Sequence, residues 1–323
     1  MKHRDIKNIL VLRNDRFGEF LLIIPTLRAL KETFTNAKLI AVVNPYVKEL
    51  AECIPFIDEI ITWDRQRQTL IEKLRLISLL REKNIDMAIM LNPSRDFNIF
   101  TWMAGIPIRA GYDRKWGFLL TQKIKDKKYL GQKHEIEYNL ELASLIGANT
   151  EDKTLSLSIE KGIINTLPQA HLFENCANLV ALNPWTSDPV KQWPISNFRE
   201  LALKLIKKLD LKVVVIGSDE ESSKSREFFD NHNSLFNLTG KTTLRQLAAV
   251  LSKCKLLISC DSGPVHLAGC VGIPVIAIFR NDLPGKTALR WGPVSDESVV
   301  IERRSLNDIT VEEVFLKAED ILK

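Results

Sequence analysis

The sequence predicts an α/β protein built of two parallel-sheet domains, and three observations carry this. Short apolar runs bounded by turn residues alternate with longer segments of helical period, the pattern of successive βα units. The alternation occurs twice along 323 residues, enough chain for about two domains of roughly 150 residues each. A polar stretch of weak periodicity, residues 147–177, lies between the halves.

In the first half, strands are expected over residues 9–13, 39–43, 59–63 and 87–91 and around Ile108, with helices over 19–34, 45–52, 69–82, 95–104 and 135–146. In the second half, strands fit 179–183, 213–217, 256–259 and 275–279, and helices fit 197–208, 220–230, 243–252 and 264–270. Thr243 followed by Gln246 forms a capping box, and Pro264 falls where a first helical turn tolerates proline. The last segment, 309–323, has helical spacing at Val311, Val314, Ala318, Ile321 and Leu322 that would let it pack back on the first domain. The division expected is 1–160 and 161–323. Two Rossmann-like domains facing across a cleft follow, with ligands bound beyond the carboxyl ends of the strands.

Composition narrows the class. A hydrophobic content of 45% fills two cores, and no low-complexity tract points to disorder. Lys and Arg total 45 against 40 Asp and Glu, a balance that does not point to nucleic acid. Residues 109–133 concentrate eight cations, Arg114 among them, against Asp113 and Asp126, which reads either as a solvated face or as an anion-binding surface. The five cysteines, Cys53, Cys176, Cys254, Cys260 and Cys270, are widely spaced and mostly in apolar runs, as buried thiols in a reducing compartment would be. The opening MKHRDIKNILVLRND reads as a first strand rather than a signal peptide, and no run approaches the ~18 apolar residues of a membrane span. A cytoplasmic protein with at most peripheral membrane contact is expected.

Three loops after strands can carry chemistry. In CDSGPVHLAG, Asp261, Ser262 and Gly263 turn the chain from a strand into a helix whose free amides suit a phosphate, and His266 follows within about one turn. Plain helix capping by Asp261 and Ser262 is the competing reading. In NPWTSDPVKQWP, Thr186 and Ser187 offer donors and Lys191 can neutralise a diphosphate; a proline-punctuated surface loop has the same look. In RNDRFGEF, Glu19 stands where it can act as general base or merely complement a helix dipole. Glu220 and Glu221 in GSDEE can meet ribose hydroxyls or simply begin a helix, and Asn92, Ser94 and Arg95 can line an acceptor pocket. No zinc-ligand spacing, P-loop, GxGxxG or serine nucleophile elbow occurs.

Taken in order, these segments resemble glycosyltransferase family 9, the ADP-heptose:lipopolysaccharide heptosyltransferases. ILVLRNDRFGEFLLIIPTLRALK is similar to the family's opening strand, Gly-Asp loop and helix, and IPFIDEIITW to its P-x-[VI]-D-E-[VI] segment. IDMAIMLNPSRDFNIFTWMAGIPIRAGYD, LNPWTSDPVKQWPISNF, VVVIGSDEE and the paired LTGKTTL and DSGPVHLAG segments follow in the family's order. The resemblance implies a GT-B fold and inverting transfer of a sugar from an ADP-sugar, without metal or other cofactor, to an acidic glycolipid or glycan at the cytoplasmic membrane face. It implies that Asp261, Ser262, Gly263, His266, Thr186, Ser187 and Lys191 hold the donor diphosphate and that Glu220 or Glu221 meets the ribose. Glu19 takes the place of the catalytic aspartate, and Arg65 and Arg67 sit where related enzymes place basic residues for an acidic acceptor; Asn92 and Arg95, by their place after a strand, and Arg114, in the basic run, are the other acceptor-side candidates. Two positions depart from the family. Gly18-Glu19 replaces Gly-Asp, and Trp185 stands where a small residue is usual, so that it would narrow the donor pocket or stack on a base or sugar. A nucleotide-sugar-binding protein without transfer activity and a GT-B sugar-nucleotide epimerase are the alternatives.

Overall fold

The computed structural model describes residues 6–66, 69–167, 169–173, 178–229 and 232–323. The chain divides into two compact units, Met1–Thr154 and Leu155–Lys323. In the first, β1 (Asn8–Leu12) leads to α1 (Phe17–Leu21), α2 (Ile24–Thr33), β2 (Lys38–Val43), α3 (Lys48–Ala51) and β3 (Glu59–Thr62). There follow α4 (Leu70–Glu82), β4 (Met87–Met90), α5 (Arg95–Met103), β5 (Ile108–Tyr112), β6 (Gln122–Ile124) and α6 (Glu135–Ser144). The second holds β7 (Leu179–Asn183), α7 (Ile195–Leu209), β8 (Lys212–Val215), α8 (Ser222–Phe229), β9 (Leu235–Asn237) and α9 (Leu244–Leu251). It continues with β10 (Leu256–Cys260), α10 (Gly263–Cys270), β11 (Val275–Arg280), α11 (Ala288–Trp291), β12 (Val299–Arg303) and α12 (Val311–Leu322).

Both sheets have six strands, and every strand pairs in parallel with its neighbours. The orders, β3-β2-β1-β4-β5-β6 and β9-β8-β7-β10-β11-β12, are the same doubly wound order used twice. The central strands are continuous apolar runs because helices cover both faces: Ile9, Leu10 and Leu12 are wholly buried in β1, as are Leu256, Leu257 and Ile258 in β10. In such sheets the strand order reverses at a switch point, between β1 and β4 in the first unit and between β7 and β10 in the second. The loops that leave the carboxyl ends of those four strands carry RNDR, NPSR, PWTSDPVKQW and DS.

The helix expected over 19–34 is two helices. Pro25 is the second residue of α2; its ring removes an N–H and crowds the carbonyl four residues back, so the helix restarts after Leu22. Likewise, 45–52 begins as a 3-10 turn at Pro45–Val47, and 220–230 as one at Asp219–Glu221. The capping box expected at Thr243 with Gln246 is formed, and Thr69 with Glu72 and Ser218 with Glu221 form two more among the described residues. The unit boundary lies six residues before the expected one. Arg28 binds the carbonyls of Asp152 and Thr154 at 2.7 and 2.9 Å, holding that stretch to the first unit, whereas Leu155 is buried beside Gly269 of α10. The apolar face of α12 lies in the second unit's own core, against α7, β10 and β11, with Val314, Phe315 and Ala318 in the same cluster as Trp193, Phe198 and Leu205.

Candidate functional site

In the second unit, the site is built on Asn183, the last residue of β7 and 3% exposed. Its Nδ2 donates to the hydroxyls of Ser262 (2.8 Å) and Ser259 (3.0 Å) and to the carbonyl of Trp185 (3.2 Å), so one amide ties the loop after β7 to the loop after β10. Ser262 is the N-cap residue of α10, yet its hydroxyl goes to Asn183 and Ser259 and makes no cap bond. The first amides of α10 therefore lack the side-chain acceptor that most helix starts have, which leaves the positive end of the helix available to an anion.

Lys191 meets Asp261 across the same gap, Nζ against the carboxylate, with side chains 17% and 10% exposed. The lysine loop is fixed by Trp193, which is fully buried. Its Nε1 donates to the carbonyl of Ile309 at 3.0 Å and its ring meets Phe198 edge-on at 4.8 Å. A second pair, Lys286 and Asp188 at 3.0 Å, brings the loop after β11 to this cluster. Burial raises the Asp261 carboxyl above its usual range and Lys191 only partly offsets this, whereas the Lys286 hydrogen bond lowers Asp188. Two ammonium groups and a helix start thus converge at the second switch point.

The other donor-side residues lie less uniformly. Thr186 turns its hydroxyl onto Asp188, 3.3 Å from its amide, and Ser187 is exposed. His266 is buried, 5% exposed, on α10. Glu221 closes a capping box with Ser218, accepting from its amide at 2.8 Å, and Glu220 is exposed on the same 3-10 turn after β8. Trp185 does not line an open pocket. It is 5% exposed and lies so close to Gly217 that a Cβ there would sit 2.5 Å from its Cδ1, so its indole belongs to the core rather than to a stacking surface.

In the first unit, Glu19 occupies the first turn of α1, beside Asp15 and Arg13 at the β1 end of the sheet. Its carboxyl is held above the usual range, first by burial and then by the charge of Asp15, with Arg13 and Arg16 opposing. Beneath it runs a buried ionic network that the sequence did not disclose. Arg13, 3% exposed, reaches Asp15 (2.8 Å), Glu135 (3.1 Å) and the carbonyl of Leu91 (3.2 Å), and Lys128 meets the same Glu135 oxygen at 2.6 Å. Asn92 lies after β4 with its side-chain oxygen buried and without a partner among the described residues. Arg65 reaches the carbonyl of Asn14 at 3.5 Å, Arg95 stands over the Trp116 ring at 6.0 Å, and Arg114 pairs with Asp126 at 3.0 Å; all three are exposed. Arg67 lies outside the described residues. Among the described residues no group of His, Cys, Asp and Glu is arranged to hold a metal ion, and no helix is long and apolar enough to cross a membrane.

Comparison with known proteins identifies the family and the fold. Residues 73–315 match the model of glycosyltransferase family 9 (heptosyltransferase). Lipopolysaccharide heptosyltransferase 2 of Salmonella typhimurium is 26% identical over 310 residues, covering 91% of this chain and 87% of its own. The crystal structure of a family 9 glycosyl transferase from Veillonella parvula superposes with a TM-score of 0.85 at 22% identity, covering 99% of both chains. The E. coli ADP-heptose lipopolysaccharide heptosyltransferase II structure gives 0.83 at 23% identity and 98% of both chains, so the fold is that of the GT-B heptosyltransferases. With three quarters of its length matched and both switch points furnished as described, the chain belongs to glycosyltransferase family 9, the heptosyltransferase family, and is a glycosyltransferase.

Proposed function

We propose that this enzyme transfers heptose, or a closely similar sugar, from an ADP-sugar to the acidic inner core of lipopolysaccharide or a related glycan, with inversion and without a metal. The second unit takes the donor and the first the acceptor, at the cytoplasmic face of the inner membrane. The observation that carries this reading is the meeting of Lys191 and Asp261 beside the uncapped start of α10 at the second switch point.

On donor binding, the diphosphate takes Lys191 from Asp261 and accepts from the amides of Ser262 and Gly263, with Lys286 a second cation within reach of the Asp188 side. Thr186 and Ser187 lie along the same loop, and His266 supports the anion from within the helix. Glu220, exposed after β8, is better placed than Glu221 for the ribose, since Glu221 is engaged by Ser218. In the first unit, Glu19 removes the proton of an acceptor hydroxyl, whose oxygen attacks the anomeric carbon. The bond to the diphosphate breaks, and its charge is met by Lys191 and the helix start. The raised carboxyl of Glu19 makes it a better proton acceptor than an ordinary surface glutamate, and Arg13 keeps that rise from going further. Asn92, Arg95, Arg114 and Arg65 supply polar and cationic contacts for an acidic acceptor.

Calorimetric titration with ADP-heptose, ADP-glucose and UDP-sugars in EDTA tests the donor half. Binding of ADP-sugars that survives EDTA and falls about tenfold or more in Lys191→Ala, the loss of one charge-assisted contact, is expected. No binding to any nucleotide sugar would sink the reading.

A further inference from the structure

The geometry points to a docking surface for an anionic phospholipid bilayer on the first unit, formed by the start of α4 and the turn between β5 and β6. This rests on the membrane contact in the proposed function and names the surface that makes it.

Leu70, Ile71 and Leu74 are 72%, 62% and 51% exposed on the first turns of α4, and Trp116 and Phe118 are 49% and 70% exposed after β5. These are large apolar side chains left exposed to solvent. The two groups are linked through the start of α5, where Lys73 of α4 approaches Asp96 at 3.8 Å and the neighbouring Arg95 stands over the Trp116 ring. Lys115 and Trp116 are consecutive non-glycine residues in the left-handed region, with φ of 48° and 70°. That conformation is costly for bulky residues and persists only where the surroundings fix it. Here Asn98 donates to the Lys115 carbonyl at 3.0 Å, and Gly117 lies so close to Asp113 that a Cβ would sit 2.8 Å from its Oδ1. The strained turn holds Trp116 outward, 5.8 Å from the Phe118 ring.

Charge selects the partner. Of the cations in residues 109–133, Arg109 donates to the backbone carbonyls of Leu119 and Ile106, and Arg114, Lys123, Lys128 and Lys133 are matched by Asp126, Asp113, Glu135 and Glu141. Lys115, Lys125 and Lys127 are exposed and have no acidic partner among the described residues. Parallel pairing puts the ends of β5 and β6 on the same edge of the sheet as the loop that carries Glu19. Exposed Trp and Phe with unmatched lysines fit the headgroup region of a bilayer bearing negative charge, where rings seat at the interface and ammonium groups meet phosphates. A lipid-anchored acceptor would then arrive on the side of the candidate base.

Sedimentation with phosphatidylglycerol-containing and pure phosphatidylcholine vesicles tests this on the full chain. Partitioning to the anionic vesicles is expected to fall about tenfold in Trp116→Ser/Phe118→Ser and about fivefold for each of Lys115→Gln, Lys125→Gln and Lys127→Gln. Bromine-labelled acyl chains should quench tryptophan fluorescence of the unmutated protein and not of Trp116→Phe, a check that does not depend on the double variant folding. Transfer to a soluble, lipid-free acceptor should be unchanged in all of them. Vesicle binding insensitive to these changes would overturn the surface while leaving membrane contact intact, and no vesicle binding by the unmutated protein would overturn both. A dimer seen by light scattering and lost in the aromatic variant, without vesicle binding, would show that a second copy covers the patch instead. None of these outcomes bears on donor titration, so failure here is distinct from failure of the transferase reading.

Discussion

Replacing Lys191 by alanine removes the cation against which the Asp261 carboxylate lies, and only 10% of that aspartate side chain is exposed to water that could replace it. Two unit charges in contact at about 3 Å attract by about 5 kcal/mol at an effective dielectric of ~20. Withdrawing one partner from so enclosed a pair costs about 3–5 kcal/mol. The lower end applies, because Lys286 remains nearby and because a carboxyl already raised by burial can shed its charge by binding a proton. About 3 kcal/mol is therefore expected at pH 7, read from the denaturant midpoint. Asp261→Ala should cost less, about 1–2 kcal/mol, because the lysine keeps 17% of its side chain exposed and can swing its ammonium into water. The double variant should recover part of the sum, giving a coupling of about 1.5–3 kcal/mol. The deficit of Lys191→Ala should also depend on pH. A raised folded-state carboxyl binds its proton more tightly than the unfolded chain does, so stability is lost as pH rises from the unfolded carboxylate value near ~4 through the folded one. Single and double variants that add within about 0.5 kcal/mol, or a deficit that grows on acidification, would refute the pair.

Glu19→Gln should slow transfer by about 10²–10⁴-fold, the usual worth of a general base. The folded carboxyl of Glu19 is raised by burial and Asp15, so its ionised form disfavours the fold once pH passes the unfolded value near ~4. The glutamine variant should accordingly be as stable as the unmutated protein, or more so, at neutral pH and lose that advantage in acid; a lower melting temperature at neutral pH would contradict this. Glu135→Ala leaves Arg13 and Lys128 buried without their shared carboxylate and should cost about 3–5 kcal/mol by chemical denaturation, whereas a loss below about 1 kcal/mol would mean that the network is not enclosed. Gly217→Ala places a methyl 2.5 Å from Trp185 Cδ1 and 2.9 Å from Thr239 Cγ2, an overpacking expected to cost about 1–3 kcal/mol and to be relieved by Trp185→Phe, as melting temperatures and near-UV dichroism would report.

What the sequence made legible was local. The capping box at Thr243, the break of the sheet into βα units and the two strand-to-loop segments around Lys191 and Asp261 are each written in adjacent residues, and the structure contains them. The strands β6, β9 and β12 were not expected, because QKI, LFN and VVIER are short edge segments that lack a fully apolar run. Pro25 did mark the break between α1 and α2; the apolar period running through it hid that signal. The site's wiring was less visible because it joins distant segments. Asn183 is an ordinary strand-end asparagine until Ser259 and Ser262 are brought to it, and Lys286 gains its place only when the loop after β11 meets Asp188. Lys128 sits in a basic run that reads as surface, yet its ammonium is buried against Glu135, a contact that no pattern of local charge encodes. Trp185, read as a possible wall of the donor pocket, is core because Gly217 gives its ring room.

The central claim is transfer of a sugar from an ADP-sugar by this chain, and mass spectrometry of a Kdo-bearing lipid A acceptor incubated with ADP-heptose in EDTA tests it most directly. The expected result is a product heavier by one heptosyl residue, with ADP released in equal amount, formed by the unmutated protein and abolished or slowed at least a hundredfold in Glu19→Gln. Release of ADP without glycosylated product, or product formed equally well by Glu19→Gln, would contradict it.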